Sequence, residues 1–320
     1  MTDVINEPLD PSAYFFWHPP TGMTMTTGED TEITIPDIPL PIKAADMPDS
    51  ADPTEKAIGD GIYEYLCQFS FCPYAADYAN ILQEAFPFLI SDIASQLILL
   101  DVKNVESEGQ NRKISLLNIL HHIEPENFGL MHKIGTAHFD LALNYTELTK
   151  VKPHLAEART WLEKARRLSN DDVSNLNLLG QVCYLMGSYH QSRLYWKRAV
   201  ELLEEGEVKN ELQAKLTRIE SSNLPDKPLA ESLEFVGAAL EYINSEEFAQ
   251  AREIMENLEA VGDLPREMPN PEFFYLLGLS REKCDDPSGA YEGYEMALSL
   301  DKNHQASQEA LGRVLSEQKG

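Results

Sequence analysis

Gly180 and Gly278 stand in matching sequence surroundings. Leu176, Leu179, Ser192, Trp196 and Ala199 lie at −4, −1, +12, +16 and +19 from the first glycine. Phe274, Leu277, Ala290, Tyr294 and Ala297 lie at the same offsets from the second. Spacings of three and four put these residues on single helix faces, and the gap between the two groups leaves room for a tight turn. The pattern therefore describes a helical hairpin. Glycine against serine or alanine lets the two helices approach closely, the aromatic fills the wedge between hairpins, and the last alanine admits the next helix. One such unit cannot bury its apolar face alone, so the pattern calls for stacked copies and an all-α solenoid.

This pattern resembles the tetratricopeptide repeat, a helix–turn–helix family of about 34 residues per unit. The resemblance is fullest at 173–206 and 271–304 and spans 109–320 overall. Residues 232–265 repeat it through Phe235, Ala239, Tyr242, Phe248, Ala251 and Met255, with alanine in place of the glycine. Residues 128–172 fit through Met131, Ile134, Gly135, Ala158, Leu162 and Ala165 if the turn holds about eleven extra residues. Leu311–Gly312 repeats Leu277–Gly278, which makes 305–320 a capping helix. Residues 109–127 read as a degenerate second helix. The segment 207–231 reads as a spacer helix with Leu212, Leu216 and Ile219 on one face. The expected organisation is therefore hairpins over 109–206, the spacer at 207–231, hairpins over 232–304, then the cap.

The first third is different. From residue 55 to 108 the apolar spacing is helical, as in Ile58, Ile62, Leu66 and Phe69, and Pro87 should divide the run from Ile81 to Leu100. Residues 1–54 are rich in proline, which forbids a helix and weakens any central strand. They should be extended, and disordered unless docked. Within them "AYFFWHPP" sets Tyr14, Phe15, Phe16 and Trp17 side by side. Four large aromatics call for cover, either by an apolar surface of the same chain or by a partner that recognises them.

The chain carries 26 Lys and Arg against 53 Asp and Glu, a formal charge of −27. Such a surface repels phosphate backbones and anionic membranes, so neither nucleic acid nor membrane is an expected partner. A basic cluster (Lys150, Lys152, Arg159, Lys164, Arg166, Arg167, Arg193, Lys197, Arg198) falls on outer helices and reads as ion-paired or solvated. The start, "MTDVINEPLD", reads as neither a secretory signal nor a lipidation site. Four scattered cysteines, Cys67, Cys72, Cys183 and Cys284, suit a reducing cytoplasm better than a disulfide framework.

No stretch sets catalytic groups at a diagnostic spacing. "HHIEPENFGLMHKIGTAHFD" gathers His121, His122, Glu124, His132, His138 and Asp140. Helical metal sites place ligands on one face, and here no histidine pair is three or four apart, while His132 and His138 lie nearly opposite. Cys183 falls on the face toward the partner helix and reads as structural. No phosphate loop, nucleophile elbow or cofactor motif is present. The expectation is a non-enzymatic scaffold or chaperone without cofactor. Alternatives are a role for the tail in filling the groove or in self-association, and a metal-binding enzyme or sensor built on His121–Asp140.

The resemblance also implies a binding groove, lined by first-helix residues that point away from the second-helix layer. Those positions are His132, Thr136 and Phe139, then Ser174, Asn177, Gln181 and Tyr184. In the later units they are Leu233, Val236, Leu240 and Ile243, then Glu272, Tyr275, Leu279 and Glu282. Asn, Gln and Tyr offer hydrogen bonds to a peptide backbone, and Leu and Val offer pockets. The expected partner is a protein or peptide segment, basic or amphipathic to match the acidic chain. The groove positions lack Lys and Arg, so the family's grip on a terminal carboxylate is not expected. The apolar stretch Leu233 to Ile243 could instead be covered by the 207–231 helix.

Overall fold

The computed structural model describes residues 11–26, 32–47, 52–102, 107–221 and 224–317. The parts of the expected tail at 1–10, 27–31 and 48–51 lie outside them. The chain forms two compact units, Met1–Ala137 and His138–Gly320.

In the first unit, the segment expected to be extended builds two short antiparallel two-stranded ribbons. Strand β1 (Tyr14–Trp17), β2 (Thr24–Thr26), β3 (Glu32–Thr34) and β4 (Leu40–Lys43) follow in order. β1 pairs antiparallel with β4, Trp17 opposite Leu40, and β2 pairs with β3. A two-stranded ribbon has no central strand, which is why it tolerates Pro41 inside β4. Leu40 and Ile42 are fully buried. β4 lies against helix α1 (Glu55–Gln68), where Gly61 leaves no room for a β-carbon beneath the Pro41 carbonyl. Thr54 caps α1 by accepting a hydrogen bond from the Ala57 amide at 3.2 Å.

Helix α2 (Ala75–Ala85) ends just before Pro87, the first residue of α3 (Pro87–Val102), where its missing N–H goes unused. Helix α4 (Ser107–Ile123) packs on α1, α2 and α3. The Arg112 guanidinium donates to the Tyr63 hydroxyl at 2.8 Å, and Asn118, itself buried, donates to Ser70 Oγ at 3.3 Å. Helix α5 (Phe128–Ala142) follows.

Among its described residues the second unit has only helices as regular elements. Its elements are α6 (Val151–Leu168), α7 (Val173–Leu185), α8 (Tyr189–Leu202), α9 (Glu207–Glu220), α10 (Leu229–Asn244), α11 (Phe248–Val261) and the short α12 (Asp263–Glu267). Helices α13 (Pro271–Glu282), α14 (Pro287–Leu300) and α15 (Gln305–Glu317) close the unit. Neighbours in sequence pack as neighbours in space: α7 on α8, α10 on α11, α13 on α14, then α14 on α15. One apolar core runs through the unit from Leu148 and Val151 to Phe273 and Leu277. No described helix is long and apolar enough to cross a membrane.

The basic cluster of the sequence is largely ion-paired. Lys150 pairs with Glu147, Lys152 with Glu234, Arg166 with Glu163, Arg193 with Glu220, and Arg198 with Asp171 and Glu201. Lys164 sits over the Trp161 ring at 3.8 Å.

Candidate functional site

The hairpin turns of the second unit share one backbone design. After α7, Gly187 N donates to Tyr184 O (3.0 Å) and Ser188 N to Cys183 O (2.8 Å). After α10, Glu246 N donates to Ile243 O (3.0 Å) and Glu247 N to Tyr242 O (2.8 Å). After α13, Asp285 N donates to Glu282 O (3.2 Å) and Asp286 N to Arg281 O (3.0 Å). Each pair returns amides to the carbonyls left open at a helix end. Gly187, Glu246 and Asp285 are all left-handed, with φ of 71°, 60° and 58°. They sit seven residues after Gly180, Ala239 and Gly278, the equivalent sequence positions.

The glycine surroundings match as well. A β-carbon on Gly180 would collide with the Trp196 indole, and one on Gly278 would come within 2.8 Å of the Tyr294 ring. Ser192 Oγ donates to the Gly180 carbonyl at 2.8 Å, and Ala290 stands in that place beside Gly278. The second unit is a tetratricopeptide-like solenoid.

No family model and no curated protein matches the sequence. Among solved structures the chain is similar to the TPR domain of P58(IPK), with 12% identity and a TM-score of 0.33 over 83% of this chain and 80% of that one. It is also similar to a chain of the APC/C hetero-tetramer Cut9–Hcn1, with 12% identity and a TM-score of 0.28 over 82% of this chain. It spans 57% of that second chain.

The solenoid holds a cavity of about 310 Å³ among α5, α7, α8, α9, α10 and α12. Its walls are largely apolar, with Phe139, Leu143, Leu185, Leu229 and Met268, and the Tyr184 and Trp196 rings stand 5.7 Å apart. The polar lining is Gln181, Lys215, Arg218 and Glu267. Glu267 is buried, with its side chain 3% exposed. It accepts from the Tyr184 hydroxyl (2.7 Å), pairs with Arg218 and is approached by Arg266 at 3.4 Å. Burial, then the bond to Glu267, pushes the Tyr184 phenol above its ordinary range. Lys215 Nζ lies 5.4 Å from the Trp196 ring centre. Trp196 Nε1 donates to the Asn177 carbonyl at 3.2 Å, so this residue both packs the hairpin and walls the cavity.

Three of the expected groove residues, Phe139, Gln181 and Tyr184, meet at this cavity. Ser174 is exposed in the first turn of α7, and the Asn177 Oδ1 is buried without a hydrogen-bond partner among the described residues. His132 and Thr136 lie on the part of α5 that belongs to the first unit, Thr136 Oγ1 donating to the His132 carbonyl at 2.9 Å. Tyr275 and Glu282 are placed elsewhere, on α13 facing the cap. Tyr275 packs on Tyr294 and His304, and Glu282 takes the Tyr294 hydroxyl and Arg313. Leu233 and Val236 are buried, with Leu240 and Ile243 packed on the same core. What lies against α10 is the 3₁₀ turn Tyr145–Lys150 and the start of α6, not α9: Gly237 abuts Leu148 and Thr149. The surplus residues of the 128–172 unit thus close that part of the face.

Lys215, Arg218 and Glu267 were not legible as site residues. The available signal was two cations, Lys215 and Arg218, flanking the apolar stripe Leu212, Leu216 and Ile219 of the spacer. Leu212 joins Leu176, Trp196 and Ala199 in one core, and this contact brings the cations to the cavity.

The four tail aromatics divide. Tyr14 and Trp17 are buried in their own unit, Tyr14 edge-on to Tyr65 at 5.1 Å, so they do not form a four-residue recognition peptide. Phe15 and Phe16 are exposed, Phe16 also touching the Tyr65 ring at 5.5 Å. The segment docks on α1, which replaces the expectation that it fills the groove.

The histidines do not converge. His122 Nε2 lies 2.6 Å from the Ser70 carbonyl, His132 stacks on Phe128, and His138 faces His154 at 5.8 Å. Among the described residues no three His, Cys, Asp or Glu are placed to hold a metal ion. Burial pushes the Cys67 and Cys183 thiols up to about 11, far from a reactive thiolate.

Proposed function

We propose that this protein is a non-enzymatic scaffold whose tetratricopeptide-like unit holds a peptide segment of a protein partner in the cavity beneath α9. The observation that carries the reading is the composition of that cavity. Apolar walls and two aromatic rings surround a few polar groups, the form of a recognition pocket for side chains. Its ionisable groups favour binding over chemistry. The Glu267 carboxylate already takes Tyr184, Arg218 and Arg266, so it is committed as an acceptor. The Gln181 amide supplies the donor and acceptor that a peptide backbone would use.

The test is partner recovery with the full-length protein beside Gln181→Ala/Tyr184→Ala, each checked for helicity. A defined protein partner recovered by the first and lost with the second is the expected result. Equal recovery by both would rule out the cavity as the binding site.

A further inference from the structure

The chain is strongly acidic, yet the cavity is not. Two cations, Lys215 and Arg218, line it against one carboxylate, Glu267. Glu267 is shared among Arg218, Arg266 and Tyr184, whereas Lys215 has no ion pair among the described residues and only the Trp196 face beside it. Arg218 lines the cavity while held by Glu267, so Lys215 is the cation left to meet an entering group. Around these groups the wall is apolar and aromatic, so an entering group must be apolar in body and anionic at its edge.

From this we infer that the cavity selects a peptide in which a bulky apolar or aromatic residue adjoins an Asp or Glu. The apolar side chain would enter between Tyr184, Trp196 and Met268, and the neighbouring carboxylate would meet Lys215. The inference rests on the proposed function and reverses the expectation, drawn from overall charge, of a basic partner. Net charge sets long-range attraction, but the groups lining a desolvated pocket decide which side chain is held there. The carboxylate meant is that of a side chain, and the blocked carboxyl ends used below keep a terminal carboxylate from supplying the contact.

The experiment is selection of random twelve-residue peptides with blocked carboxyl ends on the full-length protein, followed by titration of synthetic pairs. Each pair differs only in the acid, for example Phe-Glu against Phe-Lys, and binding is read by calorimetry on wild type, Tyr184→Ala and Lys215→Gln. Expected are sequences with an aromatic or leucine beside Asp or Glu, their binding lost in Tyr184→Ala. Exchange of the acid for lysine should weaken binding by about ten-fold or more, and Lys215→Gln should weaken the acidic peptide about five-fold while sparing its lysine counterpart. Peptides that need Tyr184 but prefer lysine, or ignore the exchange, overturn this inference and leave the scaffold reading standing. If no selected peptide depends on Tyr184, the scaffold reading fails and this inference with it.

Discussion

Gly180 faces the Trp196 indole with no room between them for a β-carbon. The hairpin α7–α8 therefore closes on a backbone-to-ring contact that only glycine allows. Gly180→Ala should destabilise the protein by about 1–3 kcal/mol, because overpacking outweighs alanine's better helix propensity. Gly312 is the internal control. It lies within α15, and a β-carbon there would meet nothing within 4 Å. Gly312→Ala should raise stability by roughly 0.5–1 kcal/mol. Urea unfolding followed by circular dichroism reads both, and two shifts of the same sign would refute the packing account.

Glu246 occupies the left-handed position that Gly187 fills one hairpin earlier. A side chain there carries a penalty of about 1–2 kcal/mol, which glycine avoids at the expense of some backbone entropy. Glu246→Gly should gain about 0.5–1 kcal/mol by the same measure. Gly187→Ala should lose about 1–2 kcal/mol, since its added carbon would also press to 3.0 Å from Pro228. A neutral outcome for both substitutions would mean that the turns do not hold the shared conformation.

Tyr184 and Glu267, 83 positions apart in sequence, are joined by a partly buried hydrogen bond. Bonds to a charged acceptor are stronger than neutral ones, so a cycle of Tyr184→Phe and Glu267→Gln should show a coupling of about 1–2 kcal/mol. Glu267→Gln alone should cost about 2–4 kcal/mol, since it leaves Arg218 without its countercharge. Additive single effects would place the two side chains out of contact.

The repeat was legible because its signal is a spacing of residue types: glycine, small residue, aromatic and alanine recur at fixed offsets in 173–206 and 271–304. Backbone conformation was less legible. Glu246 and Asp285 are left-handed without being glycine, so nothing in their identity marks the turn that Gly187 marks. The surplus between α5 and α6 was readable as length, but its placement against α10 depends on Gly237 beside Leu148 and Thr149, a tertiary fact. The pairing of β1 with β4 was hidden by prolines that argue against a central strand, although Gly61, bare of a side chain, stands where backbone crosses α1. At the cavity, Tyr184 and Gln181 were legible as groove positions that the repeat resemblance implies. Glu267 was missed because it arrives on the five-residue α12, after the left-handed Gly262, where no periodicity could place it.

His138 gives a dependence on pH whose sign follows from its burial. Burial, then the charge of nearby His154, lowers its pKa from 6.5 to about 4. His154 is itself lowered, chiefly by burial, although Glu147 at 3.9 Å pulls the other way. His138 is thus neutral in the folded chain while the unfolded chain takes up a proton below about pH 6.5. Its contribution is complete above that pH, declines as pH falls toward 4, and changes no further once the folded form also binds the proton. The decline amounts to about 3 kcal/mol at most. Many carboxylates titrate over the same range, so the quantity to measure is the difference between wild type and His138→Phe in urea unfolding at pH 7.5, 5.5 and 4.5. Wild type should lose ground relative to the variant as pH falls. Parallel pH profiles would mean that His138 titrates normally in the folded protein.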